Sequence, residues 1–144
     1  MRCGKTFCSW TVSILILALI GLAFSPFLVG DMERLVLDEA TRAAMPERTF
    51  IELSDGVTHY ALIGPPEGRP IVLIHGFTSP MFVWDRQVTA LAGAGFRVLR
   101  YDLFGRGYSD RPALRYTPEL FDRQLTELLD RLDISSPVDV AGLS

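Results

Sequence analysis

Beyond its first eight residues the chain has no cysteine: the only two are Cys3 and Cys8. The body therefore has no disulfide, no thiol nucleophile and no cysteine-based zinc site. Histidine is as scarce. His59 and His75 stand alone and far apart, too few for a histidine-rich metal centre, so no metal is expected. No charge of one sign dominates either. Fourteen Lys and Arg face seventeen Asp and Glu, for a net charge of −3. That balance gives no footing for a polyanion, and no nucleic-acid partner is expected. Repeats and low-complexity tracts are missing as well.

One local absence is more informative. Residues 9–30 contain no charged side chain, and 12–24 are strongly apolar. A run of this length can cross a bilayer as a helix, and Trp10 suits an interface. Residues 1–30 are thus expected to be an N-terminal membrane anchor, making the membrane a partner through that helix. A cleaved signal segment is the rival reading. Arg2 and Lys5 supply a basic start, and Ala23-Phe24-Ser25 offers a small-x-small site. Against cleavage, Pro26 would follow the cut, and the apolar run continues through Phe27-Leu28-Val29. Arg2 and Lys5 precede the run and Asp31 and Glu33 follow it. The positive-inside tendency then favours a single-pass protein with its body on the non-cytoplasmic side, although Arg34 and Arg42 pull the other way. Cleavage would instead give a secreted protein.

Residues 31–47 read as a connecting segment. Met32, Leu35, Val36, Ala40, Ala43 and Ala44 recur at helical spacing, which predicts a short amphipathic helix over 31–44, ended by Pro46. The domain occupies 48–144. Strands are predicted at Thr49–Leu53 and 57–63, joined by the hairpin signal Asp55-Gly56. Ile71-Val72-Leu73-Ile74 is apolar at every position, the pattern of a strand covered on both faces in a parallel sheet. Pro80 fits the first turn of a helix capped by Ser79 or Thr78. Trp84, Val88 and Leu91 share its face, and Gly93 or Gly95 ends it. A strand at Arg97–Tyr101, a helix from Thr117 with a stripe of Phe121, Leu125, Leu128, Leu129 and Leu132, and a strand over 138–141 complete an α/β pattern with a largely parallel sheet.

Three motifs carry chemistry. The last strand runs straight into Gly142-Leu143-Ser144, the first half of a G-x-S-x-G turn that lifts a serine hydroxyl clear of a sheet. His75-Gly76-Phe77 follows the apolar strand. Asp102 opens a D-x-x-G-x-G-x-S loop with Gly105, Gly107 and Ser109. Gly105-Arg106-Gly107 is not a dinucleotide fingerprint, because Asp110 stands where the third glycine belongs and Arg111-Pro112 follows.

With these motifs in this order, residues 48–144 resemble the N-terminal half of an α/β-hydrolase fold protein. The resemblance implies Ser144 as the nucleophile and the backbone amide of Phe77 as one oxyanion-hole donor. The second donor would come from the residue after the nucleophile. It also implies structural roles near the site for His75, Gly76, Asp102 and Gly142. In that family the triad runs nucleophile, acid, histidine, so His75 precedes its expected place and is not the general base. His59 is expected to be a packed or exposed strand residue. Arg106, Asp110 and Arg111 are expected to form loop ion pairs or to be solvated. Serine separates the chain from relatives that use aspartate to open epoxides or displace halide.

The resulting expectation is a membrane-anchored serine hydrolase. It would act on a small-molecule or lipid ester through an acyl-enzyme, with no cofactor, and its acid and histidine would lie beyond residue 144. The alternatives are a non-catalytic binding module on the same fold and an inactive fragment. If 1–30 is an anchor, the intact protein stays in the membrane fraction after carbonate extraction. Release of full-length protein would remove the anchor, and a shortened soluble form would favour the signal segment.

Overall fold

The strands of this chain divide by how their side chains alternate. The computed structural model describes residues 5–28, 36–135 and 137–144, with side chains in the first segment described at 10 and 12–25. Strands β1 (Thr49–Leu53) and β2 (Gly56–Ile63) mix polar and apolar residues. They form the expected hairpin about Asp55-Gly56, with Thr49 opposite Tyr60 and Leu53 opposite Gly56. Strand β3 (Pro70–Ile74) is apolar throughout, and its neighbours Val72 and Leu73, which point to opposite faces, are 0% and 1% exposed. A strand buried on both faces belongs in the middle of a sheet.

The sheet order is β1-β2-β4-β3-β5, where β4 is Arg97–Tyr101 and β5 is Asp139–Gly142. β2 runs antiparallel to β4, whereas β3 runs parallel to both β4 and β5. The sheet is therefore mixed: an antiparallel hairpin leads into a parallel core.

Each face of the sheet has its own apolar layer. On one, Leu53, Val72, Leu99 and Tyr101 pack with Leu128 and Ile134. On the other, Leu73 and Val98 pack with Trp84 and Val88. The second layer comes from a 3₁₀ turn, Met81–Trp84, continuing into helix α3 (Asp85–Gly93). Pro80 is the N-cap residue of that turn and no side chain caps it, so the expected cap by Ser79 or Thr78 is not formed. Helix α4 (Pro118–Arg131) covers the first layer with Leu125, Leu128, Leu129 and, just past its end, Leu132. Phe121, expected in the same stripe, instead faces the cavity described below.

Two expectations are corrected near the N-terminus. The connecting helix, α2, spans only Glu39–Ala43. It starts there because the Asp38 side chain accepts the Thr41 N–H at 2.7 Å, an N-cap that fixes where the helix begins. The rest of the expected helix, 31–35, lies outside the described residues. The first helix, α1 (Lys5–Leu28), belongs to a separate unit of the chain, 1–36. Its side chains over 12–24 are exposed, and the Ser25 hydroxyl donates to the Leu22 carbonyl at 2.8 Å. The expected transmembrane helix is not found: among the described residues no helix is long and apolar enough to cross a membrane.

Strand β5 pairs only with β3 among the described residues, and Val140 and Leu143 beside its open edge are 55% and 46% exposed. An unpaired edge with apolar side chains templates association with other chains. Residues 46–144 expressed alone should therefore aggregate or remain molten. Size-exclusion chromatography and urea unfolding check this, and a soluble monomer with one cooperative transition would contradict it.

Candidate active site

Asp102 follows the last residue of β4, at the carboxyl edge of the parallel strands. Its side chain is 1% exposed. The carboxylate accepts hydrogen bonds from His59 Nδ1 at 2.7 Å, the Met81 N–H at 2.8 Å and the Tyr108 N–H at 2.9 Å. Its backbone is engaged too. The carbonyl accepts the Ser109 hydroxyl at 2.6 Å and Gln124 Nε2 at 3.1 Å, and the N–H donates to the His59 carbonyl at 2.9 Å. Burial alone would raise the Asp102 pKa. The hydrogen bonds from His59, Met81 and Tyr108 outweigh it and hold the carboxyl below the usual carboxylate range.

The loop glycines make this packing possible. Gly107 has φ +50°, and a Cβ there would stand 2.1 Å from Asp102 Oδ2. Only glycine lets the backbone pass so close to the carboxylate. The bonds with Tyr108 and Ser109 hold Asp102 inside the loop that it opens. His59 is a packed residue of β2. It is 3% exposed, lies between the rings of Phe50 and Tyr108 at 5.3 and 5.4 Å, and donates to Asp102. Gln124 was not anticipated at all. It is 1% exposed, donates to Thr58 Oγ1 at 3.0 Å as well as to Asp102, and accepts the Phe104 N–H at 3.1 Å. Its position four residues from both Leu120 and Leu128 was the available signal, since it puts a polar group on a buried helical face.

His75 is fixed by two backbone groups. Its Nε2 accepts the Leu103 N–H at 2.9 Å, which leaves the ring proton on Nδ1, and Nδ1 donates to the Gly76 carbonyl at 2.7 Å. With both nitrogens committed, the imidazole has no free site for a serine proton. It does orient a peptide plane. In a trans peptide the N–H points opposite to the C=O, so holding the Gly76 carbonyl also aims the Phe77 N–H. No hydrogen bond among the described residues uses that N–H.

Strand register brings Ser144 to the same place. Gly142 stands opposite Ile74, and the Leu143 N–H donates to the Ile74 carbonyl at 3.0 Å. The chain then passes over Gly76, where a Cβ would lie 3.3 Å from the Leu143 carbonyl oxygen and 3.4 Å from the Ser144 carbonyl carbon. Gly76 and Phe77 also line a cavity of about 630 Å³ with Leu103, Phe104, Tyr116 and Phe121. The structure therefore gathers Ser144, Gly76 and the Phe77 amide, with His75 behind the loop. Arg106 donates to backbone carbonyls rather than to a carboxylate, whereas Asp110 pairs with Arg42. Among the described residues no group of His, Cys, Asp and Glu could hold a metal ion.

The sequence pattern of the family described as "Alpha/beta hydrolase family" matches residues 71–144. The chain is 36% identical over 80 residues to a haloalkane dehalogenase of Psychrobacter cryohalolentis, covering 54% of this chain and 26% of the relative. It is 41% identical over 73 residues to an epoxide hydrolase of Caballeronia sordidicola, covering 49% and 22%. Among solved structures, the enol-lactonase from Burkholderia xenovorans LB400 superposes with a TM-score of 0.63 at 33% identity, covering 67% of this chain and 37% of that one. The chain thus spans about a quarter of these curated relatives.

In the full-length protein, Asp102→Asn should cost about 3 kcal/mol of stability at neutral pH, because it leaves buried partners of a carboxylate uncompensated. A depressed folded pKa contributes stability that is fully present above the unfolded value, about 3.9, and lost as pH falls through the folded one. The gap between wild type and variant should therefore be constant from pH 7 to about pH 5 and narrow below about pH 4. Urea midpoints across that range check it.

Proposed function

The chain belongs to the α/β-hydrolase family, and we propose that its Ser144 is the nucleophile of a hydrolase acting on an ester-type carbonyl. The observation that carries this reading is the packing of the Leu143-Ser144 backbone on Gly76, which lines the cavity and precedes the uncommitted Phe77 amide. The serine oxygen attacks the carbonyl carbon, and the developing negative charge on the carbonyl oxygen receives the Phe77 N–H. A preorganised amide dipole needs no reorganisation as that charge forms, so it lowers the barrier directly. Collapse expels the alcohol and leaves an acyl-serine, which water then cleaves. A serine hydroxyl is a weak nucleophile until a base takes its proton. His75 is committed and His59 is paired with Asp102, so the base and its orienting acid belong to chain beyond residue 144.

The cavity supports a substrate with an apolar portion. Its volume is that of a small-molecule site, and Phe77, Leu103, Phe104 and Phe121 dominate its wall. A lipid-like ester fits this lining. Membrane attachment through α1 belongs to the same proposal. It is supported by the uncharged sequence over 9–30 and by the exposed apolar side chains of α1.

A fluorophosphonate probe tests the nucleophile. Labelling is expected of the full-length protein, and not of its Ser144→Ala variant or of the 144-residue chain. Equal labelling of protein and variant would name the wrong serine. A folded full-length protein that takes no label would point to a non-catalytic binding module.

A further inference from the structure

We propose that Arg106 is a positioning residue for the oxyanion donor, holding the Phe77 segment at the angle its N–H needs. This rests on the reading of Ser144 and the Phe77 amide given above. Phe77 is 77% exposed, so side-chain burial does not fix its backbone. The preceding peptide plane is held by His75 through the Gly76 carbonyl. The following plane is held by Arg106, whose Nε donates to the Phe77 carbonyl at 2.8 Å. The same guanidinium lies over the Phe77 ring, 4.4 Å from its centroid, and its NH1 donates to the Gly105 carbonyl at 2.8 Å. One planar cation thus grips the carbonyl and the ring of Phe77 and ties both to the loop after β4. With both flanking peptides pinned, the φ and ψ of Phe77 are set, and with them the direction of its N–H.

This grip uses properties specific to arginine. A fork of donors in one plane bonds two carbonyls while its face covers a ring; a lysine ammonium has the charge without that shape. Arg106 lines the cavity beside Phe77, and its bonds reach the donor through the Phe77 carbonyl and ring. Loss of a whole oxyanion donor costs about 10²–10³ in kcat. A donor left in place but loosened should cost less, about 10-fold to 100-fold on the same scale.

The test uses the full-length protein and a p-nitrophenyl ester. Arg106→Ala should lower kcat about 10-fold or more per folded molecule and leave KM within about 2-fold. Its affinity for a trifluoromethyl ketone, which forms a charged tetrahedral adduct, should fall by the same factor. Arg106→Lys should not rescue the rate, whereas Arg106→Gln, which retains an N–H for the Phe77 carbonyl, should be intermediate. Thermal melts give the folded fraction, and Phe77→Leu removes the stack while keeping the carbonyl bond, so it should show a smaller loss of the same kind. A change confined to KM would make Arg106 a substrate-binding group and overturn the proposal. So would full rescue by lysine, or a loss of activity that only tracks unfolding. Ser144→Ala separates the two readings. If that variant still turns over, the nucleophile is wrong; if it is inactive while Arg106→Ala matches wild type, only the positioning role fails.

Discussion

The buried carboxylate of Asp102 is the interaction on which the rest of the domain depends. A charge with 1% exposure would be costly if it stood alone. Here three donors from three segments converge on it: His59 from β2, the Met81 N–H at the start of the turn before α3, and the Tyr108 N–H of the glycine loop. The residue therefore cross-links a strand, a helix entrance and a loop at one point. Its backbone carbonyl reaches α4 through Gln124. The segments after β3 and β4 and helix α4, which frame the cavity, meet this centre directly or through one neighbour.

Around that centre, parallel pairing decides what can be brought together. β3, β4 and β5 end at the same edge of the sheet, so the segments that follow them share one region. Residues after β3 supply His75, Gly76 and Phe77; those after β4 supply Asp102 and Arg106; those after β5 supply Ser144. Open α/β sheets place their sites at this edge. Links between the loops all engage the backbone: the Leu103 N–H to His75, Arg106 to the Phe77 carbonyl, and the Leu143 backbone on Gly76. Such contacts fix peptide planes, the groups that an oxyanion site has to aim.

Much of this was legible from the residues alone. The hairpin, the two central strands and α4 follow from alternation, an all-apolar run and a 3.6-residue stripe, each a local pattern with one structural solution. The Gly-x-Ser turn, the His-Gly pair and the D-x-x-G-x-G-x-S loop also announced themselves, because each needs particular residues at fixed spacing. The first helix is a different case. An uncharged run gives length and hydrophobicity, and helical structure follows, but neither says where that helix resides.

What the chain could not disclose by itself was which polar groups meet. His59 read as a strand residue because its partner lies 43 positions away, and the hydrogen bond exists only once β2 and β4 have paired. Gln124 drew no reading from the sequence, because its partners Thr58 and Asp102 come within reach only once the sheet has formed. Arg106 read as part of a loop ion pair or as a solvated charge, yet its grip on Phe77 spans 29 residues. Local sequence determines backbone preference and which side chains seek burial, since those depend on near neighbours. Hydrogen-bond partners across strands depend on register and on which loops share an edge, and only the folded sheet decides both.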